Sequence, residues 1–252
     1  MKLLFSNLLI YFVLFLLIPS HISAKTGPEI KPESDDLVSK VIRAYGGAEV
    51  IEKTRAVYAR GKIKAIVMKD EGTYTRYFMR DRKLRVEIKY SRSGETRIFN
   101  GSRGWRGTDR KPLQEVEGHR LYAMVYQYKQ LDIVYGLLKN KYTIKHTANK
   151  TMGKKRFVVL ELMDEEGPLI EVFIDLDNYL IIYVAGNFKI NNNVVALSVV
   201  LSDFRMVEGM PMPYKISNFS GDMKTGENLI EEYLINPEMA PELFRPNETH
   251  LL

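Results

Sequence analysis

The feature that most constrains the fold is an alternation of apolar and polar residues with a period of two, which begins near Thr54. It is clearest where Leu84, Val86, Ile88 and Tyr90 are separated by single charged residues. Because successive side chains of a strand point to opposite faces of a sheet, this segment should bury one row and solvate the other. Further strands are predicted at residues 55–68, 73–80, 95–100, 103–107, 141–147, 155–163, 168–175, 179–188, 194–207, 213–220 and 228–235.

Short links separate most of these segments, among them Asp81-Arg82, Asn100-Gly101 and Asp177-Asn178. Such links are typical of β-hairpins, in which consecutive strands pair antiparallel. A flat sheet of about 12 strands would twist apart or leave long open edges. The sequence therefore predicts a mainly β protein with one strongly curved antiparallel sheet of about 11–12 strands.

Two segments have helical rather than strand periodicity. Residues 35–45 begin with acidic side chains, place apolar residues at helical spacing and are expected to end at Gly46-Gly47. The longer segment, Gly118 to Asn140, is apolar on nearly all sides of a helix, which requires that protein or ligand enclose it. It can pack as the fixed core of the curved sheet, or it can also act as a movable lid over a cavity, with adaptable contacts from Met124 and its tyrosines.

The N-terminus has the pattern of an export signal. Lys2 precedes an apolar stretch of about ten residues, and Pro19 and small residues follow it up to Ala24. An uncleaved membrane anchor is the alternative, but a spanning helix needs ~20 apolar residues. We expect a signal peptide at residues 1–24 and a single soluble domain at residues 25–252, exported to the periplasm.

Charge and cysteine content exclude several classes of protein. Removing residues 1–24 takes away Lys2 and leaves 36 basic against 31 acidic residues, a net charge of +5. These charges are spread along the chain, so no nucleic-acid-binding face is predicted; a solvated surface or weak attraction to anionic lipid headgroups explains them. The chain contains no cysteine, so an exported domain needs a large hydrophobic core and has no thiol chemistry.

Motifs for catalysis or metal binding are weak. His119, His146 and His250 are the histidines left after cleavage, and none has metal-ligand spacing. The sequence Gly101-Ser102-Arg103-Gly104 lacks the spacing of a nucleophile elbow and is interpreted as a hairpin turn. The acids of residues 164–166 are interpreted as a solvated turn. No catalytic residue, metal or cofactor is predicted.

Several motifs, taken in order, resemble the LolA-like superfamily of periplasmic lipoprotein and lipid carriers. They are the end of the first helix at Ala44 to Gly47 with Gly61 in the first strand, residues 83–87, residues 98–101 with Trp105, the strand and turn of residues 172–181, the Gly and Pro bend of residues 207–216, and the ending at residues 236–246. Together they extend over most of the mature chain. Each is mainly turn and strand chemistry, so the resemblance depends on their order.

The resemblance implies an unclosed β-barrel whose concave side is covered by helices, around a cavity that receives acyl chains. It implies a carrier of lipids or lipoproteins toward the outer membrane, with membrane-associated donor and acceptor proteins, and no catalytic residue. The candidate cavity residues are Leu84, Val86, Ile88 and Tyr90 on one strand face, Trp105 near a rim, and Tyr122, Met124 and Tyr126 on the covering segment. For each of them, an ordinary place in the core is the alternative.

Two other classes of function fit the same sequence. One is a periplasmic protein of the same fold that senses a lipid or peptide and reports to a membrane partner. The other is a secreted hydrolase whose site is assembled from scattered Ser, His and Asp residues. A polar cluster inside the cavity would favour the hydrolase, and a second domain would favour the sensor.

Overall fold

The computed structural model describes residues 34–166, 169–190 and 193–246. Its helices are α1 (Ser34–Ala44), α2 (Gly47–Lys53) and α3 (Gly118–Leu138), with a short 3₁₀ helix at Pro241–Phe244. Its strands are β1 (Ala56–Ala65), β2 (Asp70–Met79), β3 (Lys83–Tyr90), β4 (Gly94–Asn100), β5 (Arg103–Thr108), β6 (Lys111–Val116), β7 (Thr143–Met152), β8 (Lys155–Met163), β9 (Ile170–Asp175), β10 (Ile181–Ile190), β11 (Asn193–Val207), β12 (Met210–Ser220) and β13 (Met223–Ile235). The predicted signal peptide, residues 1–24, lies outside the described residues, as does His250.

All thirteen described strands belong to one antiparallel sheet, in the order β6-β5-β4-β3-β2-β1-β13-β12-β11-β10-β9-β8-β7. Strands that follow one another in sequence pair with each other, except that β1 pairs with β13 and that β6 and β7 form the two edges. The chain therefore runs outward from β1 to one edge, crosses to the other edge through α3 and returns to the middle. The predicted fold class, a mainly β protein with an unclosed antiparallel sheet and a few helices, is confirmed.

The register defines which face of the sheet α3 covers. Val57, Phe78, Leu84 and Phe99 are opposite one another on β1 to β4, so their side chains share one face. The ring of Tyr128 on α3 lies 5.3 Å from that of Phe78 and 5.8 Å from that of Phe99, measured between centroids. We call this the concave face. The main hydrophobic core lies between it and the three helices.

Two elements differ from the sequence prediction. Residues 111–116 form the edge strand β6, which was not predicted because Pro112 and several polar residues mask its alternation. α1 ends at Ala44, just before Gly46 and Gly47, as expected, but these two glycines, with φ of 95° and 86°, turn the chain directly into α2, a short helix that was not predicted. The predicted helical segment after Gly118 is a 21-residue helix.

The opposite, convex face of β3 and β4 is covered by the C-terminal segment. Ile98 and Phe244 are both 0% exposed, although Ile98 faces away from α3. The carbonyl oxygen of Phe244 accepts a hydrogen bond from Asn100 (3.1 Å), and that of Leu243 accepts one from Arg85 (3.0 Å). This contact forms a second, smaller buried cluster on the outside of the sheet.

We expect Phe244→Ala to lower the free energy of unfolding by about 3–5 kcal/mol, because it removes a fully buried ring. Met206→Ala is the control, since Met206 is 64% exposed on the same sheet and should change stability little. Urea unfolding followed by circular dichroism measures both variants. Equal losses in the two would show that the C-terminal segment does not stabilise the sheet.

Candidate functional site: a cavity between α3 and the sheet

A cavity of about 140 Å³ lies between α3 and the concave face. Most of its wall is apolar and comes from β10 to β12 on the sheet and from the second half of α3. The main apolar residues are Ile181, Val184, Val199, Leu201, Met212 and Ile216 on the strands, and Leu131, Ile133 and Val134 on the helix. Because an apolar wall provides no directional bonds, such a cavity accepts alkyl groups of variable shape.

The same cavity contains a small number of polar side chains. They are Thr54, Arg76, Arg80, Gln127, Gln130, Asn218 and Asn228, together with tyrosines 45, 74 and 135. Among the residues that the structure describes, no Asp or Glu lines this cavity. The two cations of the cavity wall are Arg76 and Arg80, and neither has a carboxylate partner that lines the cavity. Their interactions with other residues differ, and these differences indicate a separate role for each.

Arg80 is neutralised from outside the cavity. Its Nε lies 3.3 Å from Asp132 Oδ1, and its guanidinium stacks 3.7 Å above the ring of Tyr135. Asp132 is itself 7% exposed, and burial raises the pKa of this carboxyl while Lys141 and Arg80 act against that rise. This ion pair attaches the middle of α3 to the end of β2.

A wider, charged cleft of about 760 Å³ lies beside this ion pair. Two of its cations have carboxylate partners: Lys129 of α3 is 2.6 Å from Asp164, and Arg82 is 2.6 Å from Glu166. Lys129 and Asp164 connect α3 to the turn after β8. We therefore interpret the cleft as the polar attachment of α3 and the apolar cavity as the candidate ligand site.

Two buried tyrosines also attach α3 to both halves of the sheet. The hydroxyl of Tyr126 donates a hydrogen bond to the carbonyl oxygen of Val184 on β10, at 3.0 Å. The hydroxyl of Tyr128 accepts one from the backbone N–H of Arg82, in the β2–β3 turn, at 3.2 Å. Both side chains are nearly inaccessible to solvent. The helix is thus held by bonds to strands that lie far apart in the sheet order.

Six of the eight predicted cavity residues come together in the core under α3. Leu84, Val86, Ile88, Met124 and Tyr126 are buried in the main core, and Tyr90 packs against it. None of these six lines the 140 Å³ cavity, which lies toward β10 to β13. In this structure the six residues pack in the core. Their role in ligand binding stays a prediction.

Trp105 and Tyr122 lie apart from the other six. Trp105 pairs with Ile98, whereas Leu84 pairs with Phe99, so Trp105 is on the convex face, with the guanidinium of Arg103 5.0 Å from its ring centroid. Tyr122 is 55% exposed on the first half of α3. Neither side chain lines the cavity in this conformation.

The sequence analysis did not identify Arg76, Gln127, Gln130 or Asn228. A signal was present for Arg76, since it lies between Tyr74 and Phe78 in an alternating row of the strand predicted at residues 73–80. A charged residue in an otherwise aromatic row is unusual for a buried face. The other row of β2 is also mixed, so the sequence did not show which row is buried.

The segments considered for metal binding or catalysis form turns in the structure. In the described part of the chain, no three His, Asp or Glu side chains come close enough together to hold a metal ion. Gly101 and Ser102 form the two-residue link between β4 and β5, with Gly101 at φ 64°. Asp175 Oδ1 accepts the backbone N–H of Asp177 at 3.0 Å, as in an Asx turn.

We expect stability to fall in alkali because the tyrosines around α3 are buried. Burial raises the pKa values of Tyr45, Tyr126, Tyr128 and Tyr142, and it raises that of Tyr233 to about 12. With folded values above the ordinary ~10, the stabilisation is complete below pH ~10 and is lost as the pH rises through 12. Urea unfolding should show a decrease of at least about 2 kcal/mol between these pH values.

Absorbance at 295 nm follows tyrosinate formation in the same samples. Tyr233→Phe should make the loss of stability between pH 10 and 12 smaller, whereas the control Tyr122→Phe, at a 55% exposed position, should leave it unchanged. A free energy of unfolding that stays constant up to pH 12 would contradict the assignment of these hydroxyls to the buried core.

Comparison with known proteins finds similarity in structure and not in sequence. No family model and no curated protein matches the sequence. A LolA superfamily protein from Nitrosomonas europaea superposes with a TM-score of 0.56 at 10% identity, covering 85% of this chain and 98% of that one. A DUF1329 family protein from Desulfovibrio piger gives 0.54 at 11% identity, with coverage of 84% and 96%.

A third solved structure is a domain from Vibrio parahaemolyticus assigned to the outer membrane lipoprotein-sorting proteins. It superposes with a TM-score of 0.53 at 9% identity, covering 84% of this chain and 96% of the domain. In all three, nearly the whole of the known protein is matched by the thirteen-strand sheet and its helices. The chain therefore has the fold of the LolA superfamily, as its sequence motifs indicated.

Proposed function

We propose that the protein is a carrier that holds an acyl chain of a lipid or lipid-modified protein between α3 and the concave face. The observation that carries the proposal is the apolar cavity enclosed by α3 and β10 to β12. It is supported by the LolA-like fold, whose solved examples include the lipoprotein-sorting domain described above. The role is binding and transfer, and no step of it requires a catalytic side chain.

Burial of methylene groups would supply the affinity. Each methylene removed from water contributes ~0.8 kcal/mol, so six of them contribute about 5 kcal/mol without any directional bond. The side chains around the cavity include Met210 and Met212, whose unbranched thioethers adapt to different chain positions. A wall of this kind selects for an alkyl chain and not for one particular lipid.

The size of the cavity indicates that α3 must move for a long chain to enter. A cavity of about 140 Å³ is close to the ~150 Å³ that accommodates benzene in an engineered protein core. A longer acyl chain therefore needs the space that the second half of α3 occupies. We propose that α3 packs as part of the core when the protein is empty and acts as a lid when the ligand is bound. The fixed-core and movable-lid interpretations of residues 118–140 then describe two states of the same helix.

We also propose the periplasmic location and the membrane-associated partners that the sequence predicts. Residues 1–24 would direct export, and the mature chain would carry lipid or lipoprotein through the periplasm between membrane-associated donor and acceptor proteins. Among the described residues, no helix combines the length and apolarity that crossing a bilayer requires.

Native material gives the most direct test. The chain from residue 25 onward, purified from its own envelope, should contain acyl lipid or lipoprotein near one equivalent, identified by mass spectrometry after extraction. A protein that is empty and that also fails to bind a fluorescent fatty acid in vitro would exclude the carrier function.

A substitution that fills the cavity should block loading. Leu201 lines the cavity on β11, so Leu201→Trp should weaken binding of a fluorescent fatty acid by ~10-fold or more, because it occupies the volume of several methylenes. The matched control is Leu229→Trp on β13. Leu229 pairs with Lys215, faces away from the cavity and is 46% exposed.

Fluorescence titration compares the two variants with the wild type, and circular dichroism verifies that each is folded. Equal affinities for Leu201→Trp and wild type would place the acyl chain elsewhere on the molecule.

A further inference from the structure

Arg76 is a buried cation without a counter-charge among the residues that the structure describes. It lies on the concave face of β2, lines the cavity and is 5% exposed. Within the described residues, no carboxylate lies within 4 Å of its guanidinium, and its Nε has no hydrogen-bond partner. A buried charge is costly unless it is paired, so an arginine in this position indicates a partner that is absent from the protein itself.

Two neutral tyrosines interact with Arg76. The hydroxyls of Tyr74 on β2 and Tyr233 on β13 interact with the guanidinium. Tyr233 uses its own proton in a 2.7 Å hydrogen bond to the carbonyl oxygen of Pro213, so its oxygen is left as an acceptor. These two acceptors orient the planar guanidinium, which has five N–H donors, and they leave its positive charge without compensation.

Other arginines in the same register row have carboxylate partners. Arg76 is opposite Val86, which is opposite Arg97, which is opposite Arg106, so all four side chains share the concave face. Glu95 lies 2.9 Å from Arg97 and 2.7 Å from Arg106. At one end of this row, Arg106 is exposed and paired with a carboxylate, and at the other end Arg76 is buried and has no carboxylate partner among the described residues. Of these three arginines, Arg76 lines the cavity and is the one without a carboxylate partner among the described residues.

We infer that Arg76 binds the anionic headgroup of the ligand, and that the ligand is an amphiphile with a carboxylate or phosphate at one end of an alkyl chain. This inference rests on the proposed function, since the same cavity holds the chain. A guanidinium matches both kinds of oxyanion through two parallel N–H···O bonds. Asn228, a second buried residue of the cavity wall with an unpaired oxygen, can accept a hydrogen bond from a hydroxyl of the same ligand.

The test compares three ligands that share a twelve-carbon chain: dodecanoate, dodecyl phosphate and dodecanol. Isothermal titration calorimetry of each, below its micelle concentration, gives the affinity for the full-length mature chain. Both anions should bind the wild type about 10- to 100-fold more tightly than the alcohol, as expected for charge-assisted hydrogen bonds to a desolvated guanidinium. Tighter binding of dodecanoate would indicate a fatty acid, and tighter binding of dodecyl phosphate would indicate a phospholipid type of headgroup.

Arg76→Leu should remove this preference and leave the affinity for dodecanol unchanged or higher. Because it replaces an unpaired buried charge by an apolar group, it should also keep or raise the thermal unfolding temperature of the empty protein. Arg76→Lys keeps the charge without the paired donors and should retain part of the preference. The control is Arg106→Leu, whose side chain is 44% exposed in the same row and whose loss should leave the preference intact.

The outcomes separate this inference from the carrier proposal. Equal binding of all three ligands by the wild type, or a preference that survives in Arg76→Leu, would overturn the role of Arg76 and leave an acyl-chain carrier. Absence of binding by all three ligands would overturn the carrier function, and the anion site with it. Equal binding of the three ligands by the wild type would overturn the role of Arg76 even if a variant does not fold.

Discussion

The architecture depends on the passage of the chain from one edge of the sheet to the other. β6 and β7 are consecutive strands, yet they form opposite edges, so residues 117–142 have to cross the whole sheet. A helix of 21 residues spans ~30 Å at 1.5 Å per residue, whereas thirteen strands spaced ~4.8 Å apart would extend over ~58 Å if they were flat, so this crossing requires a curved sheet. Since α3 is apolar on nearly all sides, it is stable only where the sheet curves around it and two further helices cover the rest.

The same crossing creates the cavity. α3 packs closely on the β2 to β5 half, where Gly104 leaves room for Met124 and Leu121; a Cβ at that position would lie 2.7 Å from the Met124 sulfur. On the other half, the helix leaves a space against β10 to β12 that aliphatic side chains do not fill. The cavity is thus a consequence of a single helix that lies across a broad, curved sheet and packs closely on only one half of it.

Local pattern in the sequence determined most of the fold and little of the site. The alternating row of Leu84, Val86 and Ile88 and the apolar helix after Gly118 were both identified, because each depends on spacing within one segment. Trp105 was predicted near the rim of the cavity, but it lies on the convex face, because the register between neighbouring strands, and not composition, decides which face a side chain is on.

Arg76 was also not identified as a cavity residue, because local sequence pattern does not reveal contacts between distant strands. Its strand was predicted, but its burial depends on the pairing of β1 with β13. In this pairing Ala59 lies opposite Tyr233, which is 174 residues later in the chain, and Tyr233 comes next to the guanidinium. No local window contains this contact. The edge strand β6 was missed for a different reason: an edge needs only one paired side, so Pro112 and polar residues are tolerated there.

Loading of an acyl chain can be compared in energy with the packing of α3. Burial of one large apolar side chain stabilises by about 1.5–3 kcal/mol, so withdrawal of Ile133, Leu137 and Tyr126 from the core would cost roughly 5–9 kcal/mol. A twelve-carbon chain in their place contributes about 10 kcal/mol at ~0.8 kcal/mol per methylene. The two terms nearly balance, which a carrier requires, because a ligand that is held far more tightly than the lid could not be released. In the proposed carrier, the ion pairs of buried Lys129 with Asp164 and of buried Asp132 with Arg80 hold α3 in the closed position, and their separation adds to the cost of opening.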